Sequence, residues 1–367
     1  MIPVSEGLEK VLSGGSFKSG YVADLIVDGD VVLEDVPLSA AELSSNADAK
    51  IVTQGSVTVT YTDDLGVSIV PEDVSSWLSP FASFMDVSYR AALGDSFSEK
   101  VLRGRLKITG AADPVDRSVR REGRVLTVGS QVTVSLKDLF HVTDRERFIA
   151  PSPPASLMSV KAELARLTGL PIVSEVADAQ IPRSVTYEEN RLDAVLDLAS
   201  VLGAFAYVNA AGALALVPKD WSAPVAVLRV GGEGSIVRVD ADELSDDGVF
   251  NQVVVRSHDD SQETILWTEQ LEDGPLRYGG PFGRVPFFAS SQYVTTAAQA
   301  RAYALSLLPQ VSSLPAVTYS IQCLPDPRLE VWDVITVVTD KRTFDARISK
   351  MTLPGSGPMT LTVQVKP

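Results

Sequence analysis

Apolar and polar residues alternate one by one over long stretches of the chain, and this pattern limits its fold more than any other feature. Residues 57–62 read Val-Thr-Val-Thr-Tyr-Thr, and the same alternation recurs at residues 132–136, 317–323 and 359–366. A period of two places every second side chain on one face, which is typical of half-buried antiparallel strands. Hydrophobic residues make up 45% of the chain, enough to fill a core. Several such strands in succession predict a small barrel or sandwich.

The middle of the chain has a different pattern. Pro151-Ser152-Pro153-Pro154 contains three prolines in four residues, which indicates a linker. The spacing of Leu157, Val160, Leu164 and Leu167 predicts a helix that begins after Ser156 and ends at Gly169. A second helix is predicted from the cap Asn190 to Gly203, followed by a strand, a turn at residues 209–212 and another strand.

After Trp221 the pattern again predicts strands, interrupted by one helix over about residues 296–308 that Pro309 ends. We therefore predict a mainly β fold with α+β parts, with two β-barrel-like domains and an α/β insertion between them. Residues 1–150 form the first barrel domain, with a flexible arm around residues 13–16, residues 151–220 the insertion, and residues 221–367 the second barrel domain with its helix.

Charge and cysteine content exclude several classes of function. The net charge of −15 and the isoelectric point of about 4.6 give the chain as a whole no attraction to phosphates or anionic lipids. The single cysteine, Cys323, excludes an intramolecular disulfide and a cysteine-based metal cage. The chain has neither a signal-peptide pattern nor about 20 consecutive apolar residues. We expect synthesis in a cytoplasm and no membrane segment.

Residues that could perform chemistry are few. His141 and His258 do not have zinc-ligand spacing, no Gly-x-Ser-x-Gly elbow is present, and Lys18-Ser19-Gly20 lacks the order of a phosphate-binding loop. Acidic residues at 240–247 lack the ligand spacing of an EF-hand, although calcium binding there stays open. A pair of carboxylates that meet only in the fold also stays open. We predict no catalytic residue, no bound cofactor and no metal site.

One segment departs from the acidic character of the chain. Residues 101–148 contain ten basic and six acidic residues, a net charge of about +4. Such a patch attracts an acidic partner or a neighbouring copy of the same chain, although an ordinary mixed surface is equally compatible. Four basic residues in it are candidate subunit-interface residues: Arg117, Arg120, Arg121 and Arg124.

Several short sequence segments are distinctive: residues 132–139, Arg147-Phe148 with the proline-rich linker, residues 190–199, residues 250–255, and Val331-Trp332-Asp333-Val334-Ile335. They resemble segments of the tail-hub or minor tail proteins of long-tailed phages that infect actinobacteria, a group related in fold to the baseplate hub proteins of contractile-tailed phages. In the last segment, Trp332 replaces the glycine of the family's usual Gly-Asp turn. Trp332 and Asp333 are therefore further candidate interface residues.

The resemblance implies a structural subunit of the tail tip in the virion. It implies a homotrimeric ring whose two barrel domains per chain match a sixfold tail tube to a threefold tip. The implied partners are the distal tail protein, the tape measure, and tip or fibre proteins, with DNA passing through without specific binding.

Two other functions stay open from the sequence. The first is a tail-associated cell-wall lysin or peptidase. The second is a carbohydrate-binding adhesin, in which Trp77, Trp221, Trp267, Trp332 and the loop at residues 278–282 would stack on sugars.

Overall fold

The fold of the chain is given by a computed structural model. It describes residues 1–14, 16–62, 68–121, 124–183, 185–232, 234–241, 248–256, 265–290, 296–312 and 317–366, with the backbone alone at residues 121, 124–126, 265, 266 and 310. Strands make up 48% and helices 15% of the structure. The predicted fold class, mainly β with α+β parts, is confirmed.

The elements follow one another as α1 (Glu6–Ser13), β1 (Lys18–Val27), β2 (Asp30–Asn46), β3 (Thr53–Tyr61), β4 (Ser83–Leu93), β5 (Phe97–Arg121), β6 (Arg124–Lys137), α2 (Phe140–Arg145), α3 (Val160–Thr168), β7 (Ile172–Ser174), α4 (Arg191–Val201), β8 (Ala204–Val208), β9 (Leu214–Pro218), β10 (Ala226–Arg229), β11 (Ile236–Ala241), β12 (Gln252–Arg256), β13 (Ile265–Gln270), β14 (Pro286–Ser290), α5 (Ala297–Val311), β15 (Thr318–Cys323), β16 (Val334–Val338), β17 (Thr343–Pro354) and β18 (Met359–Val365). They divide into two compact units, Met1–Asp240 with Thr318–Pro367, and Ala241–Val317. The three-part division expected from the sequence stays a proposal.

The first six strands form a closed barrel. Their neighbour order is β1-β4-β5-β6-β3-β2, and β2 pairs back with β1. Alternate residues of β4, namely Met85, Val87, Tyr89 and Ala91, are buried. The polar residues between them face outwards, as the period-two pattern requires. Gly55 on β3 permits this packing, because a Cβ there would lie 2.5 Å from the carbonyl oxygen of Glu42.

A second barrel-like sheet has the order β10-β16-β17-β18-β15-β11. A β-bridge between Val230 and Ile236 joins the end of β10 to the start of β11. The C-terminal hairpin of β17 and β18 contains the alternating segment at residues 359–366, and its residues Met359, Leu361 and Val363 are buried. Alternation of buried and partly exposed residues along β18 again assigns one face to the core.

Strand β2 joins the two sheets. It is 17 residues long; residues 30–38 pair with β1, and residues 42–46 pair with β17. Ala40, between the two halves, has a positive φ of 46°, a rare conformation for a side chain with a Cβ. One strand therefore belongs to both sheets, and a single hydrophobic core extends across them.

The α/β module consists of α2, α3 and α4 packed on the small sheet β7-β9-β8 around its own core. The predicted Asn190 cap is confirmed, because its side chain accepts hydrogen bonds from the backbone N–H groups of Leu192 and Asp193. The predicted Ser156 cap is wrong. Helix α3 begins at Val160, and its cap is Ser159, whose hydroxyl accepts a hydrogen bond from the N–H of Ala162.

The start of the chain contains α1, which ends at Ser13, the first residue of the expected flexible arm. Ser5 caps this helix, and Leu8 is fully buried against Ala91 and Val101. The backbone N–H of Ile2 donates a 2.7 Å hydrogen bond to the carbonyl oxygen of Arg328. Of the Ser13–Ser16 segment, Gly15 lies outside the described residues.

The second unit consists of the sheet β13-β12-β14 with α5 packed on it. Asn251 is fully buried in it, donates to the carbonyl oxygens of Leu276 and Gly283, and accepts from the N–H of Val285. The prediction that Pro309 ends the helix is wrong, because α5 continues to Val311 with Pro309 inside it. Pro309 has no N–H to donate to the carbonyl of Leu305, so the helix loses one hydrogen bond in its last turns.

Candidate assembly surfaces

The hairpin of β5 and β6 is the first candidate surface. Its two strands pair from Lys107 and Lys137 out to Arg121 and Arg124. Residues 112–120 of β5 are all exposed, whereas most residues between 101 and 108 are buried. The outer half of this hairpin therefore contributes no core side chains along β5. On the β6 side Ser130 is buried, and the Ser68 hydroxyl donates to Asp116, so part of one face is covered. The exposed residues of β5 form a surface available to another molecule.

The four candidate arginines all lie on this outer half. Arg117 and Arg120 are exposed on β5, and neither has a salt-bridge partner among the described residues. Arg121 and Arg124 face each other across the hairpin end in backbone pairing, while their side chains lie outside the described residues. The fold thus brings together on one short ribbon the four basic residues that the sequence singled out.

The turn before β16 contains the other two candidates, on a different part of the fold. Trp332 has a φ of +67°, the left-handed conformation that a glycine would adopt without strain. The indole stacks on Phe205 at 5.5 Å and lies 4.8 Å from the ring of Tyr207, measured between ring centroids. These contacts link the second barrel-like sheet to the α/β module within one copy of the chain.

Asp333 organises the same turn. Its Oδ2 accepts a 2.9 Å hydrogen bond from the N–H of Glu330, and its Oδ1 lies 2.8 Å from the ammonium group of Met1. Burial raises the pKa of the neighbouring Glu330 carboxyl, because a charged carboxylate is poorly solvated there. In this structure, Trp332 and Asp333 have intramolecular partners, and their role at a subunit interface stays a proposal.

A groove beside α4 is a feature that the sequence did not single out. It has a volume of about 820 Å³ and lies between the linker at residues 147–151 and the helix. Ile149 is fully exposed and Val201 is 41% exposed along it. Glu188, Glu189 and Asp197 also line it. The positions of these three acidic residues in the sequence do not indicate a common surface, and the fold places them along one groove.

The residues considered for chemistry have ordinary surroundings. Cys323 is fully buried, and desolvation raises the pKa of its thiol to about 12, which makes it a poor nucleophile. Partial burial and nearby cations lower the pKa of His141. His258, Asp242, Glu243, Asp246 and Asp247 lie outside the described residues. Within the described ranges, no group of three or more potential metal ligands is present.

The tryptophans proposed for sugar stacking have contacts inside the chain. The guanidinium of Arg347 lies over Trp221 at 4.6 Å from the ring centroid, and that of Arg301 lies over Trp267 at 5.5 Å. The indole N–H of Trp267 donates to Glu269.

In the part of the chain that the structure covers, no helix is long and apolar enough to span a bilayer.

The architecture is a pair of barrel-like sheets that share strand β2 and enclose one continuous hydrophobic core. The chain shares it with two solved structures of phage tail proteins. The tail protein from Neisseria meningitidis MC58 has 14% identity and a TM-score of 0.60, with 95% of this chain and 97% of that chain covered. The 43 kDa tail protein of prophage MuSo2 from Shewanella oneidensis has 11% identity and a TM-score of 0.56, with 94% and 98% covered.

At these identities the likeness establishes the fold, which is the fold that the sequence resemblance implied. No protein-family model matches the chain, and no curated protein matches it. The link to long-tailed phages of actinobacteria stays a prediction.

Proposed function

We propose that this chain is a non-catalytic structural subunit of a phage tail tip or baseplate. In the virion it forms a homotrimeric hub ring that joins the end of the tail tube to the tip or receptor-binding proteins. The observation that carries the proposal is the pair of barrel-like sheets sharing β2, a fold that the chain has in common with two phage tail proteins over nearly its full length.

Two barrels per chain suit a ring that joins a sixfold tube to a threefold tip. Two similar barrel-like sheets per chain give six per trimer, so a threefold assembly can present six similar units to a sixfold tube. The net charge of −15 suits a passage for DNA, because an acidic wall does not hold phosphates. The proposed partners are further copies of the chain, the distal tail protein, the tape measure, and tip or fibre proteins.

The contacts of the tryptophans, the described histidine and the cysteine favour a structural role over a cell-wall lysin or a carbohydrate-binding adhesin. Three of the four tryptophans pack on aromatic or arginine side chains of the same chain, which leaves them less free to stack on a sugar. The described histidine and the cysteine have no arrangement that would activate a nucleophile.

Native mass spectrometry of the purified full-length chain tests the ring. We expect a discrete species of three copies, and a chain that stays monomeric at high concentration would contradict the proposal. Incubation with purified host cell wall tests the absence of lysin activity, because released soluble fragments would establish an enzyme. Antibody labelling of virions should place the chain at the end of the tail.

A further inference from the structure

We propose that the outer half of the β5–β6 hairpin of one copy docks in the groove beside α4 of the next copy. This inference deepens the proposed function and rests on it, because it names the contact that closes the ring. The hairpin knob is defined here as residues 112–121 with 124–130, and the acidic groove as the cleft lined by residues 147–151, 185–190 and 193–201.

The hairpin knob has the character of an inserted element. Strand alternation places Val115, Arg117 and Val119 on one face of β5, and Val115 and Val119 are 48% and 51% exposed. Covering these exposed valines with another surface would remove apolar area from water, which favours association. Arg117 and Arg120 add positive charge without a salt-bridge partner among the described residues.

The acidic groove complements the knob in its apolar surface and in its charge. Its apolar part includes the fully exposed Ile149 and the half-exposed Val201. Its charged part includes Glu188, Glu189 and Asp197, which have no ion-pair partner within the described ranges. Asp193 is already paired with Lys50, and Arg147 is the basic residue along the groove. Asp113 and Asp116 are also exposed on the knob, and the four arginines at 117, 120, 121 and 124 leave it with a net positive charge. The knob therefore matches a cleft of apolar and acidic side chains.

Strand β6 separates the tip of the knob from the groove within one copy. Strand β6 runs from Arg124, at the end of the knob, to Lys137 and has 14 residues; at about 3.3 Å per residue it spans about 40 Å. Helix α2 and the linker that lines the groove follow directly after Lys137. The tip of the knob lies at the start of this strand and the groove is formed by residues that follow its end, which favours an occupant from another copy.

Contacts of this kind are head-to-tail. Each copy gives its knob to one neighbour and its groove to the other, so the surfaces at the contact differ on the two sides. Such a heterologous contact closes into a ring when its rotation fits, whereas a twofold dimer would need one surface that complements itself. The proposed threefold ring is such a closed arrangement.

Charge reversal tests the contact. The knob variant combines Arg117→Glu with Arg120→Glu, and the groove variant combines Glu188→Lys with Asp197→Lys. We expect each variant to associate about tenfold or more weakly than the natural chain in native mass spectrometry across a concentration series. The four substitutions combined in one chain should restore the oligomer, because the charges are again opposite.

A control variant combines Arg229→Glu with Lys366→Glu, two exposed positions with the same change in net charge as the knob variant. It should keep the oligomer. If the natural chain is oligomeric and both reversal variants keep its mass, this inference is overturned while the proposed ring stands. A monomeric natural chain overturns both.

Cysteine cross-linking gives a readout that does not depend on the strength of association. Val119→Cys with Ile149→Cys places one thiol on the knob and one in the groove, and the buried Cys323 does not interfere. Mild oxidation should give covalent dimers and trimers on a non-reducing gel. Val119→Cys with Val74→Cys, a 65% exposed position, is the matched control. Equal ladders from both pairs, or no ladder from the first, would overturn the contact.

Discussion

The hydroxyl of Tyr21 on β1 donates a 2.9 Å hydrogen bond to the carbonyl oxygen of Leu353 on β17. These residues are 332 positions apart in sequence, and both are almost completely buried. The bond connects the closed barrel to the second barrel-like sheet beside their shared strand. Burial raises the pKa of Tyr21 well above its usual range, so the hydroxyl remains a neutral donor.

Tyr21→Phe should therefore lower the free energy of unfolding by about 1–2 kcal/mol, because the buried carbonyl of Leu353 loses a hydrogen bond. Tyr89 gives a matched control. Its ring lies 5.2 Å from that of Tyr21, and its buried hydroxyl lacks a well-aligned partner among the described residues. Urea denaturation should show a smaller effect for Tyr89→Phe. Equal losses in the two variants would contradict a role for the Tyr21 bond.

Trp332 should show an unusual order of stability on substitution. Trp332→Ala loses the stacking on Phe205 and Tyr207 and keeps a strained backbone, whereas Trp332→Gly loses the same contacts and relieves the strain. Since φ is +67°, we expect the glycine variant to be more stable than the alanine variant by about 1 kcal/mol. Chemical denaturation of both variants measures the difference. Alanine being the more stable would contradict the assigned strain.

Asp138 should make stability depend on pH. It is 2% exposed and accepts hydrogen bonds from the N–H groups of Thr53 and Phe140. Desolvation raises its pKa from 3.8 to about 6. The folded chain therefore binds a proton between these two values that the unfolded chain does not. The contribution of Asp138 is present in full below about pH 4 and is lost as the pH rises through about 6, by up to about 3 kcal/mol.

Asp138→Asn removes this titration. Urea denaturation at pH 4.5 and pH 7.5 should show that the natural chain loses more stability than the variant as the pH rises. The comparison cancels the other titrating groups that the two chains share. Parallel changes in both chains would mean that Asp138 has the same pKa in the folded and unfolded states.

Replacement of Arg347 even by lysine should lower the stability of the fold. Its guanidinium donates to the carbonyl oxygens of Lys219 and Asp220 and lies over the rings of Phe205 and Trp221. A lysine cannot bond both carbonyls in a fixed plane and stack on two rings, so Arg347→Lys should cost about 1–2 kcal/mol. Arg229→Lys, at an exposed position, should be neutral in thermal denaturation. Equal effects would contradict the bridging role.

The positions of most local elements follow from the amino-acid sequence alone. Asn190 precedes an apolar stripe at helical spacing, and its cap is in place, because a cap satisfies N–H groups only two and three residues away. The alternation around Val57 and Leu361 likewise fixes which face of each strand is buried. Ser156 and Ser159 both fit the cap pattern of α3, however, and contacts with Asp178 and Ala179 favour Ser159.

Which elements contact one another depends on the packing of the whole chain. The pairing of β2 with β17, the Tyr21–Leu353 bond and the alignment of Glu188 with Asp197 along one groove join residues or strands whose approach no local pattern encodes. Each barrel strand must fit neighbours that come from distant parts of the chain, and the core packs them together. Long-range register depends on that shared packing and not on the propensity of any single segment.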